Sequence, residues 1–171
     1  MNAGTLSEIN ENYKTHKDIF DLNTGGPIMN EENINIRWAN TDDAADLVRL
    51  NDDFNGIGMT IEEVQDNLAT SNELVALAVI NGEPVGFACA QYFRSFCYRD
   101  LQGEITELFI NEVARRRGLA TLLIAFLEKE LKSQGVSSVK VLTGKNNEIA
   151  IKTYERSKFS KKEEVLLKKI L

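Results

Sequence analysis

Three adjacent arginines, Arg115, Arg116 and Arg117, stand in a chain whose formal net charge is −6. Gly118, Leu119, Ala120 and Thr121 follow and open a leucine-rich run. This arrangement suits a multiply charged anion. The first turn of a helix carries backbone N–H groups without intrahelical partners and about half a positive charge, and phosphate is a natural ligand there. Gly118 has no Cβ to hold a ligand off the backbone, and Ala120 is small. A solvated basic cluster would use the same residues, so the run alone fits either reading. It contains neither of the usual nucleotide fingerprints, Gly-x-x-x-x-Gly-Lys-Ser/Thr or Gly-x-Gly-x-x-Gly.

Other side chains could carry charge or protons. Asp52 and Asp53 lie near the end of an expected helix, where its dipole disfavours them. Cation binding or plain solvation would account for them. Glu107 sits inside the otherwise apolar run "GEITELFI", where burial would raise its pKa. The one histidine, His16, and the two cysteines, Cys89 and Cys97, make no metal-ligand cluster and no disulfide framework. Cys89 reads as core, and neither cysteine has a base to activate it.

The elements that must position these residues follow from periodicity. "INIRWA", Ile34–Ala39, alternates as a first strand. Thr41 then serves as N-cap of a helix containing Leu47, Leu50 and Phe54, and "TIEE" at Thr60 opens a second helix with a capping box. "ELVALAVI", Glu73–Ile80, is apolar enough for a strand covered on both faces. Asn81-Gly82 is a two-residue hairpin turn into "EPVGFACAQYF". The aromatic loop "RSFCYRD", Arg94–Asp100, leads to a strand ending at Ile110. A long helix runs from Gly118 to Gln134 and stops at Gly135. A strand at Ser137–Thr143, a helix from Asn147 to Ser157 and a closing strand in "KEEVLLKKIL" complete a single α/β domain of residues 34–171. Residues 1–33 read as an extension with a loose helix around Leu6–Phe20, and Met29 is an alternative start.

With 171 residues, 43% hydrophobic and 27% charged, the chain has the composition of an ordinary soluble domain. No apolar run reaches the roughly 20 residues of a membrane span. The start, "MNAGTLSEINENYKTHKDIF", lacks the pattern of a secretory signal. A reduced cytoplasmic protein is therefore expected. The acidic balance disfavours nucleic acid as a partner and favours cationic substrates.

Two motifs carry a family resemblance. "ELFINEVARRRGLATLL" resembles the signature loop of the GNAT superfamily of N-acetyltransferases, [RQ]-x-x-G-x-[GA], through Arg115, Gly118 and Ala120. "NEIAIKTYERSKF" resembles its second element, N-x-x-A-x-x-x-Y-x-x-x-G-F, through Asn147, Ala150, Tyr154 and Phe159, with Lys158 in place of the usual glycine. The resemblance covers roughly residues 34–171. It implies a mixed, mostly antiparallel sheet with helices on both faces and a V-shaped splay between the Glu104–Ile110 and Ser138–Thr143 strands.

It also implies acetyl-CoA as co-substrate. Its pyrophosphate would lie on the backbone of Arg116, Arg117, Gly118, Leu119, Ala120 and Thr121, with Arg115 in the same loop. Its pantetheine arm would pair with Leu108, Phe109 and Ile110. Asn147 would touch that arm, although Asn is also a good N-cap. Tyr154 would protonate the leaving thiolate; its plain alternative is a packed aromatic. Glu107 is the expected general base and Glu104 its reserve, while His16 has no expected role. The acceptor site would involve Asp52, Asp53, Phe54 and Tyr98. A small cationic amine is the expected acceptor, with aminoglycosides the leading class. Peptide or protein N-acetylation and a non-catalytic acetyl-CoA-binding module are the alternatives. Dimers are common in the family, so a homodimer is also implied.

Overall fold

The structure, a computed structural model, describes residues 32–171. His16, Met29 and the helix expected at Leu6–Phe20 lie outside the described residues. Five strands form one sheet in the order β1-β2-β3-β4-β5: β1 (Ile34–Trp38), β2 (Leu74–Ile80), β3 (Glu83–Phe93), β4 (Leu101–Ile110) and β5 (Val136–Val141). The first three pairings are antiparallel and β4–β5 is parallel. The helices are α1 (Ala44–Asn55), α2 (Ile61–Thr70), α3 (Leu119–Ser133) and α4 (Glu148–Arg156). This is the α/β fold that the element order and the resemblance imply.

Alternation along β2 divides the core. Ala76, Ala78 and Ile80 point to one face, where Leu123, Ile124, Leu127 and Leu131 of α3 cover them. The alanines of β2 and β3 let this helix approach the sheet closely. Leu77 and Val79 point to the other face and meet Leu47 and Leu50 of α1. The hairpin turn forms as expected, with Asn81 at φ 53° and Gly82 at φ 88°, both left-handed as the favoured two-residue turn requires.

One local expectation changes. Asn40, not Thr41, caps the first helical turn: its side chain accepts the Asp42 N–H at 2.8 Å. Asp43 completes a capping box and is buried. It is held by both guanidinium nitrogens of Arg37, at 2.6 and 2.7 Å. Those bonds hold the Asp43 carboxyl below the usual range and fasten the start of α1 to β1. On α2, the capping box of Thr60 and Glu63 forms. Val64 and Leu68 pack inward while Ile61 stays largely exposed.

The closing strand does not form. Residues 159–171 have no regular structure, and Val165, Leu166, Leu167, Ile170 and Leu171 are exposed. A strand needs an edge to pair with and a surface to cover. The outermost strand β5 shows exposed Ser137, Ser138 and Lys140, which offer apolar side chains little to bury against.

Candidate active site

The site starts where two strands part. The parallel pairing of β4 with β5 ends at Ile105 and Val141, although β4 continues to Ile110. Residues 107–110 therefore pair with β3 only, and their other edge is free. This is the splay that the resemblance implies. A β-bulge lies at the same place. Cys89 pairs with Glu107 and Ala90 with Ile105, so Thr106 is the additional residue on β4.

The strand then turns into a constrained loop. Asn111 N–H donates to Val85 O at 2.8 Å, and its side chain accepts the Val113 N–H at 3.2 Å. Arg115 Nε donates to Ile110 O at 3.0 Å, bracing the loop against the strand end. Arg116 is left-handed at φ 64°, an arrangement that costs roughly 1 kcal/mol for a residue with a Cβ. Gly118 is left-handed as well, at φ 79°. Alternation of this kind turns backbone N–H groups towards a common concavity that suits anions.

Helix α3 begins there with no side-chain cap, whereas Thr60 caps α2 and Asn147 caps α4. The N–H groups of Leu119, Ala120 and Thr121 thus lack the partner that the other two helices supply from within. No atom of another part of the chain lies within 4 Å of the place where a Cβ on Gly118 would stand. An open, uncapped helix start beneath three arginines fits a pyrophosphate. Arg117 already has two partners: its Nη1 donates to Glu32 Oε1 at 2.6 Å and its Nη2 to Val113 O at 3.4 Å.

Tyr154 projects from α4 and is half-buried, with its ring 5.7 Å from that of Phe159. Its hydroxyl has no hydrogen-bond partner among the described residues. Burial raises its pKa, and the charge of Glu107 adds to the effect. The phenol is therefore protonated at neutral pH, and the two expected catalytic groups lie within electrostatic reach of one another. Asn147 Oδ1 accepts the Ala150 N–H at 3.2 Å, so the cap role is filled. Its amide nitrogen is left for other partners. Lys158, in place of the family's glycine, is left-handed at φ 67°.

Glu107 itself is exposed rather than buried. Its pKa is nevertheless raised, first by loss of water to its neighbours and then by the charge of Glu73. Glu73, immediately before β2, escaped the sequence reading; its only signal was a carboxylate opening an apolar strand. Thr106 Oγ1 donates to Glu73 Oε1 at 3.1 Å. Burial, with Glu73 and Glu107 nearby, pushes the Cys89 thiol far up, so it stays neutral and is no nucleophile. The reserve base Glu104 is engaged by Lys140 Nζ at 3.1 Å.

The expected acceptor residues divide. Asp52 Oδ1 accepts the Gly58 N–H at 3.1 Å and shapes the α1–α2 loop. Asp53 Oδ2 accepts from Asn111 Nδ2 at 3.1 Å, tying α1 to the start of the anion loop. Phe54 packs against Phe87 and Phe109, with ring centroids 5.9 and 5.6 Å away. Tyr98 is exposed in the loop at the opposite end of β4, where Phe93 pairs with Gln102, so the structure does not bring it to Asp53. Between α1, α2 and the sheet lies a cleft of about 150 Å³. Val64, Leu68, Val75, Phe87 and Cys89 give it apolar walls, and Asn51, Asn67 and Glu73 are its polar lining. Among the described residues no group of side chains could hold a metal ion, and no helix is long and apolar enough to cross a membrane.

Comparison with known proteins identifies the family. The model of the acetyltransferase (GNAT) family matches residues 40–159. An uncharacterized N-acetyltransferase of Methanocaldococcus jannaschii is 37% identical over 87 residues, 50% of this chain and 38% of that protein. The chain thus spans well under half the length of that relative. Among solved structures, an aminoglycoside N-acetyltransferase in complex with CoA superposes with TM-score 0.72 at 19% identity, over 84% of this chain and 99% of that one. A ribosomal-protein-alanine N-acetyltransferase from Brucella melitensis biovar Abortus 2308 gives TM-score 0.70 at 16% identity, over 81% and 99%. These two act on different acceptors by name, and at such identities they share the fold with this chain and nothing finer. Since the matched span runs from the cap of α1 through the anion loop to Phe159, the protein belongs to the GNAT family of acetyltransferases.

Proposed function

We propose that the protein transfers an acetyl group from acetyl-CoA to the primary amine of a small cationic acceptor, without a covalent enzyme intermediate. The observation that supports this most is the free edge of β4 running into an uncapped, arginine-flanked helix start. The backbone from Arg116 to Thr121 would hold the pyrophosphate, and Leu108, Phe109 and Ile110 would pair with the pantetheine arm. Asn147 would donate its side-chain amide to that arm. Acetyl-CoA supplies a thioester, whose carbonyl carbon accepts the nucleophile and whose sulfur leaves.

The protein's own residues handle the protons. Glu107 takes one from the acceptor ammonium, directly or through water, and a carboxylate with a raised pKa is better matched to that work near neutral pH. Tyr154 gives its phenolic proton to the departing sulfur. A β4 amide on the free edge would meet the negative charge on the carbonyl oxygen.

Negative charge on the acceptor side supports a cationic amine, and aminoglycosides are the first class to test. Glu73 and Glu107, close enough for the charge of one to raise the pKa of the other, supply that charge. Two free cysteines, Cys89 and Cys97, fit a reducing cytoplasm. A homodimer would cover apolar side chains such as Leu166 and Leu167. The test is release of free thiol from acetyl-CoA on addition of aminoglycosides, simple amines or peptides. Amine-dependent release supports transfer. Saturable acetyl-CoA binding with no release would make the protein a binding module, and acetylation of peptides alone would replace the small-molecule acceptor.

A further inference from the structure

The cleft between α1, α2 and the sheet narrows the acceptor further. We infer that the preferred acceptor is a primary amine bearing one compact apolar group, with the group seated in this cleft and its ammonium held by Glu73 of the lining. This rests on the transfer reaction proposed above. The cleft holds about 150 Å³, the size of an engineered apolar cavity that takes up benzene. Leu47, Val64, Leu68, Val75, Phe87 and Cys89 surround it from both helices and two strands. Met59 adds to these walls, while Asn51, Asn67 and Glu73 are the polar part of the lining, so most hydroxyls of a polyhydroxylated ring would be stripped of water against apolar walls without replacement. A hydrocarbon group of matching bulk gains from the same surroundings.

Position connects the cleft to the chemistry. Cys89 lines it and pairs across the strands with Glu107. Glu73 also lines it and is oriented by Thr106, the bulge residue beside Glu107. Neither Glu73 nor Glu107 has an ion-pair partner among the described residues. An ammonium placed between them would supply the missing positive charge while its apolar substituent enters the cleft. Glu107 then removes the proton and Glu73 fixes the orientation. Glu73 is thus a specificity-determining residue, and the walls of α2 set the size of the group accepted.

The experiment compares kcat/KM, by thiol release at saturating acetyl-CoA, for ethylamine, 3-methylbutylamine, phenethylamine, kanamycin and a short peptide. Phenethylamine and 3-methylbutylamine should exceed ethylamine and kanamycin at least roughly tenfold, as expected for burying several methylene equivalents. Val64→Phe, which fills the cleft from α2, should erase that preference while leaving the KM for acetyl-CoA unchanged. Glu73→Gln should lower kcat/KM for phenethylamine about tenfold or more, as for loss of a charged hydrogen-bond partner, while Glu73→Asp retains part of it. Equal rates along the wild-type series, or a preference for kanamycin or the peptide, would overturn the inference and leave transfer intact. The wild-type series decides this even if Val64→Phe does not fold. No turnover with any amine would overturn the transfer reaction itself and the inference with it.

Discussion

The two halves of the site are built from different material. The half proposed to hold acetyl-CoA is mostly backbone: a free strand edge, two left-handed residues and the bare start of α3. The half proposed to hold the acceptor is side chain: Glu73, Glu107 and the walls of a cleft drawn from α1, α2, β2 and β3. Main-chain amides can be blocked but hardly retuned. Side chains can be exchanged without disturbing the strand that carries them. One fold can therefore keep its acyl donor while changing its acceptor.

The comparison can be broken most severely at Gly118. Gly118→Val puts a Cβ into the open space of the cradle and forces a β-branched residue into positive φ. The KM for acetyl-CoA should rise about 100-fold, as for losing several charge-assisted hydrogen bonds. The KM for the amine should stay near its original value; a parallel rise in both would show that the two halves are not separable. Tyr154→Phe comes next, because that residue serves the bond joining the two halves. Its kcat should fall about 100-fold, typical for removing a general acid, with acetyl-CoA affinity measured by calorimetry almost unchanged.

A smaller effect sharpens the acceptor half. Glu107 must be ionised to act as a base, and its pKa is raised. The rate should therefore fall as pH drops through a value above the ordinary carboxylate range of about 4.3. Glu73 contributes to that shift, so Glu73→Gln should move the acid limb of kcat/KM to lower pH. An unmoved limb would detach Glu73 from Glu107. The smallest effect lies outside both halves. Lys158→Gly relieves a left-handed residue and should stabilise the fold by about 1 kcal/mol, a rise of a few degrees in Tm, with kinetics unaltered.

How much was legible follows from the same division. The hairpin at Asn81-Gly82, the capping box at Thr60 and the face of α3 depend on neighbours in sequence, and they formed as read. The anion loop is contiguous, so its residues could be named together. The ion pair of Asp43 was not legible, because its partner Arg37 belongs to β1 and approaches through folding. Glu73 was missed for a similar reason: its relation to Thr106 and Glu107 exists only through strand pairing and a bulge. The segment Val165–Leu171 carries apolar residues, but the edge strand β5 exposes serines and a lysine rather than an apolar surface, so composition suggested a strand that the fold does not provide.

The ion pair between Glu32 and Arg117 makes the residues ahead of the first strand a ballast on the acyl-donor cradle. A surface pair of this kind contributes at most about 1 kcal/mol, yet it occupies a guanidinium that a phosphate would otherwise claim. Altering or removing the segment around Glu32 would therefore change the grip on acetyl-CoA from outside the cradle. Salt would act the same way, freeing the arginine while weakening its attraction for phosphate, so donor affinity should depend on ionic strength less steeply than three unpaired arginines would dictate.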